Sequence, residues 1–220
     1  MNGFKKEKRG GICFYNCDNI AFMKTKPDNY YDLAIVDPPY GINICFSPDG
    51  KHIVTDRKSK DGKYSSLARE KWDSKPTKEY FDELFRVSKN QIIWGGQFFV
   101  EYLPPKQCWI VWDKMNGNSS FSDCEIAFTS FSVGLRIFRK TIETKNKIHI
   151  TQKPIKLYRW ILLRFAKQGM KILDTHGGSH THAIAADMEG FDLDICENDI
   201  IYHKDGVNAY NEYKRQAKLF

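Results

Sequence analysis

The chain has 220 residues, 41% of them hydrophobic and 14% aromatic, which is enough to bury a full core in one domain spanning residues 1–220. Its formal net charge of +7 suits a polyanionic partner. No apolar run approaches the roughly 18 residues of a membrane span, and the basic opening MNGFKKEKRGG lacks the apolar segment of a secretory signal. A cytoplasmic protein is expected, with no membrane partner. The six cysteines (Cys13, Cys17, Cys45, Cys108, Cys124 and Cys196) form no CxxC pair and read as reduced structural thiols.

In chain order, YDLAIVD (31–37) reads as a buried strand, since Val and Ile favour strands. Residues 45–78 show no sustained periodicity and carry Lys51, Arg57, Lys58, Lys60, Lys63, Arg69, Lys71 and Lys75, so a mobile basic loop is expected. KEYFDELFRVS (78–88) has apolar residues at helical spacing. QIIWGG, CWIVWDK, CEIAFTSF and GLRIFRK follow as strands. PIKLYRWILLRFAKQG predicts a helix opening at Pro154 and closing at Gly169. MKILD is a strand, THAIAADMEG a helix closing on Gly190, FDLDICE a strand, and the remainder a helix capped by Asn198 or Asp199. Strands alternating with helices around continuous apolar runs predict an α/β fold with a doubly wound, mostly parallel sheet.

Two stretches carry chemistry. LAIVDPPYGI delivers Asp37 and Tyr40 from a strand into a turn stiffened by Pro38 and Pro39, each of which fixes its own φ. Downstream, KILDTHGGSHTHAIAADMEGFDLDICEND places a Gly-containing turn between strand and helix, with Glu197 about 20 residues after Asp174. An acid there is suited to the ribose hydroxyls of a nucleoside-like ligand, and a plain tight turn with ordinary caps is the equal alternative. His176, His180 and His182 form an H-x3-H-x-H cluster in which two His four apart could share a helix face, but no convergent carboxylate or Cys completes a metal site, so no metal is expected.

Together the two stretches resemble the amino-methyltransferases of DNA, and their order, catalytic motif before cofactor motif, is that of the beta class. The match extends to HITQKP (149–154), NQIIWGGQFF, WIVWDK and YNCDN (15–19), covering nearly the whole chain. Bacterial and phage adenine methylases are the most similar type, with a Rossmann-like fold. The resemblance implies transfer of a methyl group from S-adenosyl-L-methionine to N6 of a flipped-out adenine in double-stranded DNA, as in site-specific restriction-modification methylases. Cytosine N4 is the alternative acceptor, and a DNA-binding relative without activity is the reading from another class.

The residues follow by motif position. Asp37 and the Pro38 carbonyl would accept the amine hydrogens, Pro39 would stiffen the turn, and Tyr40 would stack on the flipped base. Asp174, His176, Gly177, Gly178 and Ser179 would form the cofactor turn. Glu197 would hold the ribose hydroxyls and Asp18 the cofactor's adenine. Thr151, Gln152 and Lys153 would meet its amino-acid end, Lys153 facing the carboxylate. His176 and His180 stand where the family has an aromatic and a glycine, and His149-Ile150 where it has His-Pro. DNA phosphates would meet Arg57, Lys58, Lys60, Lys63, Arg69 and Lys71, with Tyr64 and Trp72 as stacking or core residues. Residues 115–147 occupy the place of a target-recognition region, offering Asn116, Asn118, Ser119, Ser120, Arg136, Arg139 and Lys140. A region so short implies a short target, or a second copy in a homodimer that supplies contacts.

Overall fold

The structure is a computed structural model that describes residues 4, 6–42, 74–117, 122–141 and 152–217. Its strands are β1 (Lys6–Arg9), β2 (Ile12–Asn16), β3 (Leu33–Val36), β4 (Gln91–Trp94), β5 (Trp109–Asp113), β6 (Cys124–Thr129), β7 (Arg136–Arg139), β8 (Lys171–Asp174) and β9 (Asp192–Glu197). The helices are α1 (Asn19–Lys24), α2 (Lys78–Val87), α3 (Ile155–Phe165), α4 (Thr181–Glu189) and α5 (Ile200–Gln216). Among the described residues the strands form one sheet in the order β1-β2-β9-β8-β3-β4-β6-β5-β7.

Neighbours from β2 to β4 run parallel, as expected. Three pairings are antiparallel: β1 with β2, and β6 with both β4 and β5. The reversal at β6 matters for the site. It brings the start of β6 to the edge where β3, β4, β5, β8 and β9 end.

Alternation along the strands splits the core into two layers. Ile12, Phe14, Leu33, Ile35, Ile92 and Trp94 face α3, α4 and α5, meeting Leu157, Ile161, Ala183 and Tyr210. Cys13, Tyr15, Ala34, Val36, Ile93 and Leu173 face α1 and α2, meeting Phe22, Met23, Phe81 and Leu84. A sheet covered by helices on both faces is the doubly wound architecture. No helix among the described residues is long and apolar enough to cross a membrane.

Two details depart from the sequence-based expectation. The β1–β2 hairpin and α1 carry no distinct periodic signal, because both strands are short and α1 has six residues. Helix α3 ends at Phe165, with Ala166 extended at φ −107° and ψ 158°. Gly169 instead serves a turn in which Met170 N–H bonds Lys167 O at 3.1 Å, at φ +84° where a side chain is strained.

Candidate active site

The turn after β3 holds Asp37 between two partners. Its Oδ1 accepts the Tyr40 hydroxyl at 2.7 Å, and its Oδ2 takes the Lys153 ammonium. Lys153 also lies 3.4 Å from the Tyr40 hydroxyl and 3.1 Å from Glu125 Oε2. The other Glu125 oxygen, Oε1, pairs with Lys114 at 2.9 Å. The Lys153 side chain is 2% exposed, whereas Asp37 keeps 17% of its side-chain surface open. The carboxylate is therefore gripped from the protein side and accessible from the other.

This quartet is electrically balanced: Lys114 and Lys153 against Glu125 and Asp37. Burial raises the Asp37 carboxyl above its ordinary value, the Lys153 charge pulls it back, and the nearby Glu125 charge pushes it up again. Burial opposes the Lys153 ammonium, but Asp37 and Glu125 outweigh it and leave its pKa raised. For Glu125, the two lysines outweigh burial and hold its pKa down. Burying an isolated charge would cost several kcal/mol, and the alternation of cations and anions offsets that cost.

Tyr40 is fixed as firmly as Asp37. Phe98 stacks on its ring at 5.0 Å and 23°. Gly95, at φ +68°, leaves the room the ring needs: a Cβ there would sit 2.2 Å from Tyr40 Cε1. Gly95 thus ends β4 in a left-handed conformation and accommodates the aromatic ring of the preceding turn. Among the described residues the Pro38 carbonyl accepts no hydrogen bond.

The second cluster lies beside the first because β8 pairs with β3, Ala34 opposite Leu173. After β8 the chain turns through Gly177, Gly178 and Ser179 into α4. Gly178 N–H donates to Glu197 Oε2 at 2.7 Å, and Asp199 N–H to Glu197 Oε1 at 2.9 Å. Burial lifts the Glu197 carboxyl to about 6 against those two bonds. Asn16 donates to the Glu197 and Asn198 carbonyls at 2.8 and 3.1 Å, locking the ends of β2 and β9. Asp18 is exposed and caps α1 through Ala21 N–H at 2.8 Å.

Other sequence-predicted residues make contacts within the protein. Asp174 accepts His176 N–H at 3.0 Å and His182 Nδ1 at 2.9 Å, so both its oxygens serve the turn. His176 bridges Asn19 (3.0 Å) and Thr175 (2.9 Å), and Thr175 meets the Tyr80 hydroxyl at 2.7 Å. Burial lowers the His176 pKa to about 4, so the ring is neutral. Gly177 is required by the protein itself, because a Cβ there would strike His180 at 2.5 Å. Ser179 is buried, and Gln152 half-buried next to Lys153. His176 and His182 hold different partners, neither ring nitrogen of His180 has one, and among the described residues no group of three or more His, Cys, Asp or Glu could hold a metal.

Lys153, expected at the cofactor's amino-acid end, has its ammonium on Asp37 and Glu125. Lys114 and Glu125 were not singled out from sequence, although an acid at the head of the apolar run CEIAFT was the available signal. Arg136 is half-buried with Nη1 on Leu135 O at 3.0 Å, and Arg139 pairs with Asp113 at 3.3 Å. Lys75 pairs with Glu101. Thr151, Lys51, Arg57, Lys58, Lys60, Lys63, Tyr64, Arg69, Lys71, Trp72, Asn118, Ser119 and Ser120 lie outside the described residues.

No known protein-family profile matches the chain, and neither does any curated protein. Solved structures do. M1.HpyAVI in complex with SAM superposes with a TM-score of 0.58 at 16% identity, over 90% of this chain and 99% of its own. The cytosine-N4-specific PvuII DNA methyltransferase gives 0.57 at 12% identity, over 92% and 89%. TTHA0409 of Thermus thermophilus, a candidate DNA modification methylase complexed with S-adenosyl-L-methionine, gives 0.56 at 14% identity, over 90% and 94%. The chain shares their fold. At these identities the likeness concerns architecture, and the chemistry must be argued from the residues.

Proposed function

We propose that the chain is an S-adenosyl-L-methionine-dependent, site-specific DNA methyltransferase acting on the N6 amine of adenine. The observation that carries the reading is Asp37: a strand-end carboxylate held by Tyr40 and Lys153, beside the Pro38 carbonyl, next to the Glu197 turn, on a fold shared with DNA methyltransferases.

The donor chemistry of the second cluster fits the cofactor. Each Glu197 oxygen accepts one backbone N–H and retains another acceptor position, which is what a pair of ribose hydroxyls requires. Asp18 and the Gly178 backbone lie on the same sheet edge. When bound, S-adenosyl-L-methionine supplies a methyl group on a sulfonium. The residues of this chain do the rest. An adenine amine is a weak nucleophile because its lone pair is delocalised into the ring. Asp37 and the Pro38 carbonyl accept its two hydrogens and favour a more tetrahedral nitrogen with a directed lone pair. The Asp37 carboxylate also stabilises the positive charge that develops on nitrogen. The proton leaves to Asp37 or to water. Tyr40, backed by Phe98, offers its ring to a base flipped from the duplex, a stacking contact worth on the order of 1–3 kcal/mol.

Incubation with labelled cofactor and mixed-sequence DNA, followed by nucleoside analysis, tests this reading. N6-methyladenine is expected. N4-methylcytosine would move the acceptor to the alternative that the PvuII likeness supports, and DNA binding without transfer would make the protein an inactive relative. Asp37→Asn keeps the shape of the side chain and leaves Lys153 its Glu125 partner. It should lower transfer by about 100- to 1,000-fold with cofactor affinity retained. Wild-type turnover by this variant would remove Asp37 from its role.

A further inference from the structure

Lys153 is held by two carboxylates. Glu125 Oε2 lies 3.1 Å from its ammonium, and Lys114, 2.9 Å from Glu125 Oε1, closes the chain. The three elements supplying these groups differ: Asp37 follows β3, Lys114 follows β5, and Glu125 opens β6. Only the antiparallel course of β6 brings Glu125 to this edge; its neighbour Trp112 opposite it lies two residues before Lys114. An arm drawn from three strands and fully charge-paired at a partly buried place is costly to assemble.

We propose that Glu125 is a positioning residue for the methyl-transfer site, acting through Lys153 on Asp37; the inference rests on the methyltransferase reading above. A lysine paired with Asp37 alone would collapse onto it, quench its charge and weaken it as an acceptor for the amine. Glu125 draws off part of the Lys153 charge and fixes the ammonium between two anions. Asp37 then stays oriented and keeps free acceptor strength on its exposed side. Lys114 neutralises the second carboxylate, so the arrangement adds no net charge to the interior. Because Lys114 follows β5 and Glu125 lies at the start of β6, the arm also ties these two strand ends to the reacting centre.

Glu125→Gln is the test, with the double variant Lys114→Met/Glu125→Gln beside it, both measured for steady-state transfer, cofactor and DNA binding, and pH profile. The single variant is expected to lose about 10- to 100-fold in kcat with KM for DNA and cofactor affinity within about twofold of wild type, the size seen when outer partners of a reacting group are removed. The acidic limb of its kcat profile should move to lower pH, since Asp37 loses a neighbouring negative charge and Lys153 attends to it alone. The double variant separates this role from a structural one. If Glu125 only satisfies the buried Lys114, removing both restores kcat, and the proposal falls. If Glu125 acts through Lys153, the double variant remains slow with the shifted limb, and this holds even where the single variant fails to fold. Wild-type kcat and limb in Glu125→Gln also overturn the proposal. A wild-type protein that transfers no methyl group would instead overturn the functional reading on which it rests.

Discussion

His180 offers the clearest quantitative test of the structure. It is fully buried, and neither ring nitrogen has a hydrogen-bond partner among the described residues. Its ring lies 5.2 Å from Phe14 and 5.6 Å from His203, in the space that Gly177 and Gly206 leave by lacking a Cβ. Burial, reinforced by the neighbouring His203, pushes its pKa down from 6.5 to about 3. Between those values the unfolded chain binds a proton that the native state refuses, so stability falls as pH falls below 6.5. At pH 5 this amounts to about 2 kcal/mol, from 1.5 units below 6.5 at about 1.36 kcal/mol per unit. His176, lowered to about 4, adds a similar acid-labile share. Glu197, raised to about 6, opposes both, because its native form takes up a proton before the unfolded form does. These two remain in the variant His180→Asn, whose side chain tolerates the left-handed φ of +53°. Urea unfolding at pH 7 and pH 5 should therefore show a smaller loss in the variant, by about 2 kcal/mol. Comparing the pH difference within each protein cancels the fixed cost of the substitution. Equal losses would mean that His180 already carries its proton or reaches solvent in the native state, and the packing argument would fail.

Gly95→Ala places a methyl 2.2 Å from the Tyr40 ring at φ +68°. It should lower transfer at least about tenfold by displacing Tyr40 from Asp37, at a strain of about 1–2 kcal/mol and with cofactor affinity unchanged; unaltered turnover would show that the Tyr40–Asp37 contact is dispensable. Cofactor affinity, followed by calorimetric titration, should weaken as pH falls through about 6, where Glu197 takes up its proton. In Glu197→Gln it should be weak and nearly independent of pH across that range; a variant with the wild-type profile would remove Glu197 from the ribose role.

Much of this molecule was legible in its sequence. LAIVDPPYGI announced a strand ending in a stiff turn, and β3 stops at Val36 with Asp37 at the edge. The Gly190 stop and a cap at Asn198 or Asp199, which the structure gives to Asp199, are equally readable, because a side-chain oxygen or a glycine acts on backbone within a few residues. Gly169 shows the limit of that local logic: its place in the sequence predicts a helix end, and it serves a turn. Lys153 shows a deeper limit, since its role is set by residues far from it in the chain.

Residue periodicity, turn chemistry and motif order by themselves determined a doubly wound α/β chain with an acid-bearing turn and a glycine turn on one sheet edge. These are properties of neighbouring residues, and backbone sterics and alternating burial enforce them locally. Which charge meets which was decided only by the tertiary structure. Sheet order sets β3 beside β8, and the antiparallel run of β6 sets Glu125 beside Lys153. Asp37 is thereby bound into a balanced chain of four charges, two buried lysines and two partly buried carboxylates, because low-dielectric surroundings tolerate an ion only next to its opposite.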